Sequence, residues 1–319
     1  MKITVIGSGR WGSFIAYYLS KIGNEVTIGA RPNDEAAHRF DETRSNGVLL
    51  MPDDVKFVFN VKESVKDSEI VVISIPSQNL RSLIGELGSA LDGKILILCM
   101  KGIEIETGKR LTEVVKEIKP ELKCAVWVGP GHPQEFAAGN PNCMVIDSED
   151  EEITARLVDG FSSELIRFYY GEDLIGTEIG AAAKNVIGIA AGFLDGMGYG
   201  ALKGALMARG AREIARLIGA LGGNENSAYG LCHLGDYEAT VFSKFSHNRA
   251  FGESFVKGEK YELLAEGAYT VKAMMKLKER CGVELPICTA VNNIIYNGHD
   301  VRTALSELLK RPSTTEFHG

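Results

Sequence analysis

Near the N-terminus the residues Gly7-Ser8-Gly9-Arg10-Trp11-Gly12 carry the spacing G-x-G-x-x-G. Three glycines alone are weak evidence, but their surroundings strengthen them. An apolar run at residues 3–6 precedes them, and a helical pattern follows from Arg10 to about Ile22. In such a strand–turn–helix unit each glycine has its own task. Gly7 allows the tight turn, Gly9 lets the main chain approach a pyrophosphate, and Gly12 lets helix and strand pack closely. The helix N-terminus then offers N–H groups and a partial positive charge to phosphate oxygens. Ser8, Arg10 and Trp11 join the glycines as candidate dinucleotide contacts.

The end of the next strand, at residues 25–29, reports on the ribose. A site that prefers NAD places an Asp or Glu about 20 residues beyond the glycines, on the 2′-hydroxyl. Here the chain reads Gly29-Ala30-Arg31. An arginine without an adjacent acid suits a 2′-phosphate, so the expectation is NADPH as preferred cofactor, with NADH also accepted. Asp34 stands close enough in sequence to reach back, and Arg31 as a plain loop cation is the alternative.

Further polar groups fall at strand ends, where ligands bind in open α/β sheets. Pro76-Ser77-Gln78-Asn79, Lys101-Gly102 and Gly129-Pro130-Gly131-His132-Pro133 each follow an apolar run. Pro76 and Pro133 are candidate cofactor contacts and Gly129 a candidate substrate contact. Lys101 has the charge to hold an anionic or carbonyl substrate; a solvated turn lysine is the competing account. In the second half, Gly180-Ala181-Ala182-Ala183-Lys184-Asn185 sets one lysine and one amide in an otherwise apolar helix. A lysine there is costly unless paired or functional. Asp236, in Leu234-Gly235-Asp236, is a plausible partner for it. Ser243-Lys244-Phe245-Ser246-His247-Asn248-Arg249 gathers hydroxyls, an amide and cations that suit an oxyanion.

These residues need a scaffold, and the apolar pattern describes one. Short apolar runs at residues 3–6, 25–29, 57–59, 70–75, 95–99, 125–128, 143–146 and 166–170 read as strands. Helical patterns lie between several of them, at about residues 10–22, 79–90, 108–118 and 149–164. Alternation of this kind implies a Rossmann-like, doubly wound, mostly parallel sheet covered on both faces. From about Thr177 the segments are long and helical, with no convincing strand. The expected organisation is an α/β dinucleotide-binding domain over residues 1–175 and an all-α substrate and catalytic domain over residues 176–319.

Bulk properties narrow the classes. A length of 319 residues suits two domains, and 45% hydrophobic with 24% charged residues is ordinary for a globular protein. A net charge of −7 argues against nucleic acid as a partner. The six cysteines contain no C-x-x-C pair and read as reduced thiols, with no metal site expected. Glycines interrupt the apolar start of the chain, and no run reaches the roughly 18 apolar residues of a membrane span. The expected location is the cytoplasm, without membrane insertion.

Taken together and in order, the motifs resemble the NAD(P)-dependent glycerol-3-phosphate dehydrogenases of the bacterial type. The matching stretches are G-S-G-R-W-G, I-P-S-Q-N-L-R from Ile75, Lys101-Gly102, and Gly129-Pro130 with Glu135. They continue from Glu178 through Lys184-Asn185 to Ala190-Ala191-Gly192, Asp195-Gly196 and Arg209-Gly210. Leu234-Gly235-Asp236, Ser246-x-Asn248-Arg249 and Glu266-Gly267 complete the set. The resemblance implies reversible hydride transfer between NAD(P)H and dihydroxyacetone phosphate, giving sn-glycerol 3-phosphate for phospholipid synthesis. It implies Lys184 as proton donor in reduction and acceptor in oxidation, with Lys101 and Asp236 orienting the substrate and tuning that lysine. Asn185, Ser246 and Asn248 would touch substrate or its phosphate, and Trp11, Arg31 and Glu266 the cofactor. A homodimer is compatible with the family.

The chain also departs from that pattern. His247-Asn248-Arg249 stands where the family has Arg-Asn-Arg, and Gly131-His132-Pro133 where it has Ser-Phe-Ala. Gly200-Ala201-Leu202 replaces Gly-Asp-Asn, while Asp236-Tyr237 and Thr240-Val241 replace Asp-Leu and Thr-Cys. These changes keep open a related dehydrogenase for another polyol phosphate or a small 2-hydroxy acid. A nicotinamide-binding sensor without activity is the remaining alternative; it has no need of Lys184, Lys101 and Asp236.

Overall fold

The computed structural model describes residues 1–313 and 315–316. The chain forms two compact units: Met1–Met100 with Leu111–Leu174, and Lys101–Arg110 with Ile175–Gly319. A single cut at 175/176 does not contain this crossing, because Lys101–Arg110 packs with the second unit.

The first unit is built on eight strands: β1 (Lys2–Ile6), β2 (Glu25–Gly29), β3 (Lys56–Val58), β4 (Ile70–Ile73), β5 (Ile95–Leu98), β6 (Lys123–Val128), β7 (Asn142–Ser148) and β8 (Ile166–Tyr170). Their order in the sheet is β3-β2-β1-β4-β5-β6-β7-β8. Every neighbouring pair is parallel except β6 with β7. Strand residues alternate between two cores. Ile3, Val5, Ile70, Val72, Ile95 and Ile97 face one, with Phe14, Ile15 and Leu19 of the helix Arg10–Lys21. Ile6, Val71, Ile73, Leu96 and Leu98 face the other, with Leu83 and Ile84 of Leu80–Leu87 and Val114 and Val115 of Leu111–Ile118. Burial on both faces is why the central strands β4 and β5 read as unbroken apolar runs. The chain leaves β1 for β2 on one side and for β4 on the other, which opens a crevice at the carboxyl ends of these strands.

Three short helices were not expected: Glu35–Thr43, Val61–Ser64 and Pro133–Ala137. The first buries only Ala37 and Phe40, so it carries little apolar period; Asp34 caps it by accepting from the Ala37 N–H at 3.0 Å.

The second unit is helical, and its described residues contain no strand longer than the isolated bridge between Ile103 and Arg110. Its axis is the helix Leu174–Gly196, around which Lys203–Ala220, His247–Lys257, Glu266–Cys281, Pro286–Asn297 and Val301–Leu309 assemble. The axial helix is long and apolar enough to cross a membrane, but 94% of that stretch is buried inside the protein. Its small residues admit close neighbours. A Cβ on Gly192 would lie 2.1 Å from the Arg249 carbonyl oxygen, and one on Gly252 would lie 2.2 Å from that of Ile189.

Candidate active site

In the first unit, the glycine turn is built as its spacing suggested. Gly7 has φ +115°, and a Cβ there would lie 2.2 Å from the Ser74 carbonyl oxygen. A Cβ on Gly12 would lie 2.1 Å from the Gly7 carbonyl oxygen, whereas one on Gly9 would meet nothing within 4 Å. Closure around Gly7 and Gly12, with open space at Gly9, is the shape a pyrophosphate needs. No side chain caps the helix that Arg10 opens, so its first N–H groups face outward for an anion. Beside the turn lies a cavity of about 390 Å³ lined by Gly7, Ser8, Ala30, Arg31, Asp34 and Pro76. These residues fit a dinucleotide.

Charge within that cavity bears on the ribose. Asp34 spends its carboxylate on the helix cap and on the Ser8 hydroxyl, which donates to it at 3.0 Å. Arg31 is exposed and pairs with Glu86 at 3.0 Å. Such a surface pair is worth little, so a phosphate can displace it. Trp11 packs against Phe14 and Phe136, with ring centroids 5.5 and 6.3 Å apart. Pro133 opens the helix that carries Phe136, and Gly129 follows the end of β6.

The second unit brings the expected charged residues together. Lys184 projects from Leu174–Gly196, Asp236 from the 3₁₀ turn Leu234–Asp236, and Lys101 from the segment Lys101–Arg110. One oxygen of Asp236, Oδ2, lies 2.5 Å from Lys101 Nζ and 3.1 Å from Lys184 Nζ. The other, Oδ1, is buried and has no hydrogen-bond partner among the described residues. Lys184 also donates to the Thr240 hydroxyl at 2.7 Å. Burial, opposed by Asp236 and reinforced by Lys101, brings the Lys184 ammonium down to about 8. A lysine so tuned gives up and takes back a proton near neutral pH.

Sequence reasoning did not single out Thr240 as part of this chemistry. It also missed a buried pair beneath the turn. His233 Nδ1–H donates to the Gly180 carbonyl at 2.8 Å, and His233 Nε2 accepts from the Tyr237 hydroxyl at 2.6 Å. Burial holds the imidazole down to about 4, so it is neutral, and it pins the Asp236 turn to the helix of Lys184. Lys203 is a third omission. It pairs with Asp195 at 2.6 Å and donates to the Val241 carbonyl at 3.0 Å, holding the wide turn Glu238–Phe242 that presents Thr240. The signals in the chain were the crowding of His233, Asp236, Tyr237 and Thr240, and the threonine that position 240 shares with the family's Thr-Cys.

The expected anion ligands divide. Asn248 donates to Asn185 Oδ1 at 3.0 Å and accepts from the Gly267 N–H at 2.9 Å. Asn185 in turn donates to the Lys101 carbonyl at 3.5 Å, so this amide chain adjoins the lysine cluster. Ser246 caps the helix His247–Lys257, accepting from the Arg249 N–H at 3.3 Å. His247 opens that helix and meets Tyr261 edge-on, at 6.4 Å between centroids. Arg249 bonds Asp195 at 2.8 Å, Glu253 at 2.9 Å and the Ser243 carbonyl at 3.1 Å, and it shares Asp195 with Lys203 and Glu253 with Lys257. Glu266 opens the helix Glu266–Cys281.

Comparison with known proteins agrees with this geometry. Residues 2–154 match the family described as NAD-dependent glycerol-3-phosphate dehydrogenase N-terminus, and residues 173–306 match its C-terminus. A glycerol-3-phosphate dehydrogenase [NAD(P)+] of Fusobacterium nucleatum is 35% identical, covering 100% of this chain and 99% of its own. One of Chlorobium limicola is also 35% identical, covering 100% of both. The crystal structure of glycerol-3-phosphate dehydrogenase from Coxiella burnetii superposes with a TM-score of 0.92 at 26% identity, covering 97% of this chain and 99% of that one. With both of its units matched and the lysine cluster in place, the chain belongs to the NAD-dependent glycerol-3-phosphate dehydrogenase family.

Proposed function

We propose that the chain is an oxidoreductase that interconverts dihydroxyacetone phosphate and sn-glycerol 3-phosphate with NAD(P)H, in the cytoplasm, for glycerophospholipid synthesis. The observation that carries this reading is Lys184, buried, tuned to about 8 and held by Asp236 and Thr240. When bound, the reduced nicotinamide supplies a hydride to the carbonyl carbon. The Lys184 ammonium gives its proton to the carbonyl oxygen, and its free amine takes that proton back in the reverse direction. Lys101 adds positive charge beside the developing alkoxide, and Asp236 keeps both ammonium groups in place. Asp236 Oδ1, still unpartnered, is available to a substrate hydroxyl. The test is NADPH oxidation against a panel of phosphorylated and unphosphorylated ketones. Dihydroxyacetone phosphate should give the highest kcat/KM, and faster reduction of an unphosphorylated ketone would overturn the assignment.

Arg31 leads to a cofactor prediction. The wild type should favour NADPH over NADH, and Arg31→Ala should remove most of that preference by raising the KM for NADPH. Steady-state kinetics with both cofactors decide it; a preference for NADH that the substitution leaves alone would reject the role.

The phosphate site yields a second. Arg249 carries a fixed charge at any working pH, so His247, which opens the same helix, is the expected anion ligand whose charge depends on pH. A free imidazole titrates at about 6.5, and a bound phosphate favours its charged form. Affinity for dihydroxyacetone phosphate should therefore fall as pH rises from about 6 to about 8, beyond the smaller effect of the phosphate's own ionisation. His247→Arg should flatten that dependence. If the pH profile of KM is the same in both proteins, His247 does not touch the phosphate.

A further inference from the structure

Lys184 is met by a carboxylate and a hydroxyl from neighbouring turns, Asp236 of Leu234–Asp236 and Thr240 of Glu238–Phe242. A three-residue 3₁₀ turn makes poor hydrogen bonds of its own, so other contacts must hold its place. Whatever fastens these turns to the helix Leu174–Gly196 also fixes the surroundings of the lysine.

His233 and Tyr237 flank Asp236, and both are 0% exposed. The Gly180 carbonyl can only accept, so His233 Nδ1 carries the hydrogen of their 2.8 Å bond. In the neutral ring Nε2 is then an acceptor, and the Tyr237 hydroxyl donates to it at 2.6 Å. The main chain extends the same two residues to the lysine's partners. The His233 carbonyl accepts from the Asp236 N–H at 3.0 Å, and the Tyr237 carbonyl accepts from the Thr240 N–H at 3.1 Å. The anchor lies on the lysine's own helix: Gly180 precedes Lys184 by four residues, one turn along the same face. Contact there is close, since a Cβ on Gly180 would lie 3.1 Å from the Cβ of His233. The hydroxyl is a departure of this chain. Where the family pattern reads Asp-Leu, Asp236 is followed by Tyr237, and a leucine has no hydrogen to give Nε2. A buried acceptor without a donor is costly, so His233 and Tyr237 are a matched pair.

We propose that His233 and Tyr237 are positioning residues for proton transfer, a hydrogen-bonded pair that sets Asp236 and Thr240 on Lys184. Their role rests on Lys184 as the proton donor of the reaction proposed above. The titratable groups that act on the imidazole are Asp236 and Lys184, and those that act on the phenol are Cys288 and Glu213. Around Lys184 itself, burial and Lys101 lower the ammonium while Asp236 opposes them. A looser Asp236 turn should therefore let the lysine titrate lower still.

Tyr237→Phe, which removes one oxygen and keeps the ring, tests the pair in the full-length protein. Its kcat with dihydroxyacetone phosphate should fall about tenfold or more on the plateau below the alkaline limb, with NADPH affinity unchanged within about twofold by fluorescence titration. The Lys184 side chain, followed by its Cε and Nζ NMR resonances in the cofactor-free protein, should titrate about half a unit lower or more. His233→Leu should act alike. The double variant should be no slower than the worse single one, because the same bond is lost only once. Tyr237→Leu supplies the family's residue and repeats the test if the phenylalanine variant does not fold. A merely structural pair would lower the melting temperature and leave both the titration and the kcat plateau in place. A Lys184 titration that stays near 8 in these variants, or kcat losses that multiply in the double variant, would overturn the proposal. A shifted titration beside an active Lys184→Arg would instead support the placing of Asp236 and remove Lys184 from the reaction, so the two failures are distinguishable.

Discussion

Lys184→Ala is expected to lower kcat by about 10²–10⁴-fold while leaving dinucleotide affinity as it was. The residues that would hold the dinucleotide are the glycine turn, Arg31 and Pro76, and none of them bonds Lys184. Lys184→Arg separates charge from proton transfer. A guanidinium keeps the positive charge but does not release a proton at any working pH. It should therefore be nearly as inactive as alanine. The wild-type pH profile carries the same information with its sign fixed. Reduction uses the ammonium form, so its rate should be level below about 8 and fall about tenfold per unit above. Oxidation uses the free amine, so its rate should climb to about 8 and then level. Stopped-flow turnover in both directions would show the two limbs crossing, and near-normal kcat in Lys184→Arg would remove the lysine from the chemistry.

Asp236→Asn should have the next largest effect, and it acts on stability as well as rate. Two ammonium groups meet one oxygen of this carboxylate, which is buried beneath them. The amide is nearly isosteric, so the change removes charge and little else. With that charge gone, nothing opposes the burial and the Lys101 repulsion that already lower Lys184. The alkaline limb of the reduction should move to lower pH; the rate at neutrality should fall about twofold for the first unit of displacement from about 8 and approach tenfold for each unit beyond it. Leaving a buried cation without its partner costs about 3–5 kcal/mol. Urea unfolding should register that loss, and it should shrink in the double variant Asp236→Asn with Lys184→Met, where the cation is gone too. An unmoved alkaline limb would mean that Asp236 does not set the proton affinity of Lys184.

Much of this was legible because it rests on single-residue costs and short-range pattern. All eight strands stand within a few residues of their apolar runs, and the central parallel strands β4 and β5, buried on both faces, have no polar alternation to confuse the reading. The helix Glu35–Thr43 escaped because two buried residues make no period. Lys184 and Asp236 were legible as a pair because a charge in an apolar helix demands a partner somewhere. Their neighbours were not. Thr240 and His233 are ordinary residues until a turn folds back onto Leu174–Gly196 and sets them beside Lys184 and Gly180. That Arg249 meets Asp195, 54 residues earlier, lay beyond the reach of any local pattern.

The crossing at Lys101–Arg110 has a consequence for the order in which the protein is made. Lys101 leaves the ribosome 135 residues before the Asp236 that will hold it. Arg110 precedes its partner Glu178, 2.7 Å away in the finished fold, by 68 residues. At a synthesis rate of about 5–20 residues per second, Lys101 waits on the order of ten seconds for its counter-charge. During that interval β4, β5 and β6 can pair, while the segment Lys101–Arg110 ahead of the helix Leu111–Ile118 still waits for Asp236. The nascent chain thus holds a nearly finished sheet with one charged strap still loose. The pair with Glu178 can close first, but Lys101 is held only when the last third of the polypeptide emerges, so the cluster of Lys101, Lys184 and Asp236 is assembled late, after the α/β scaffold has been synthesised.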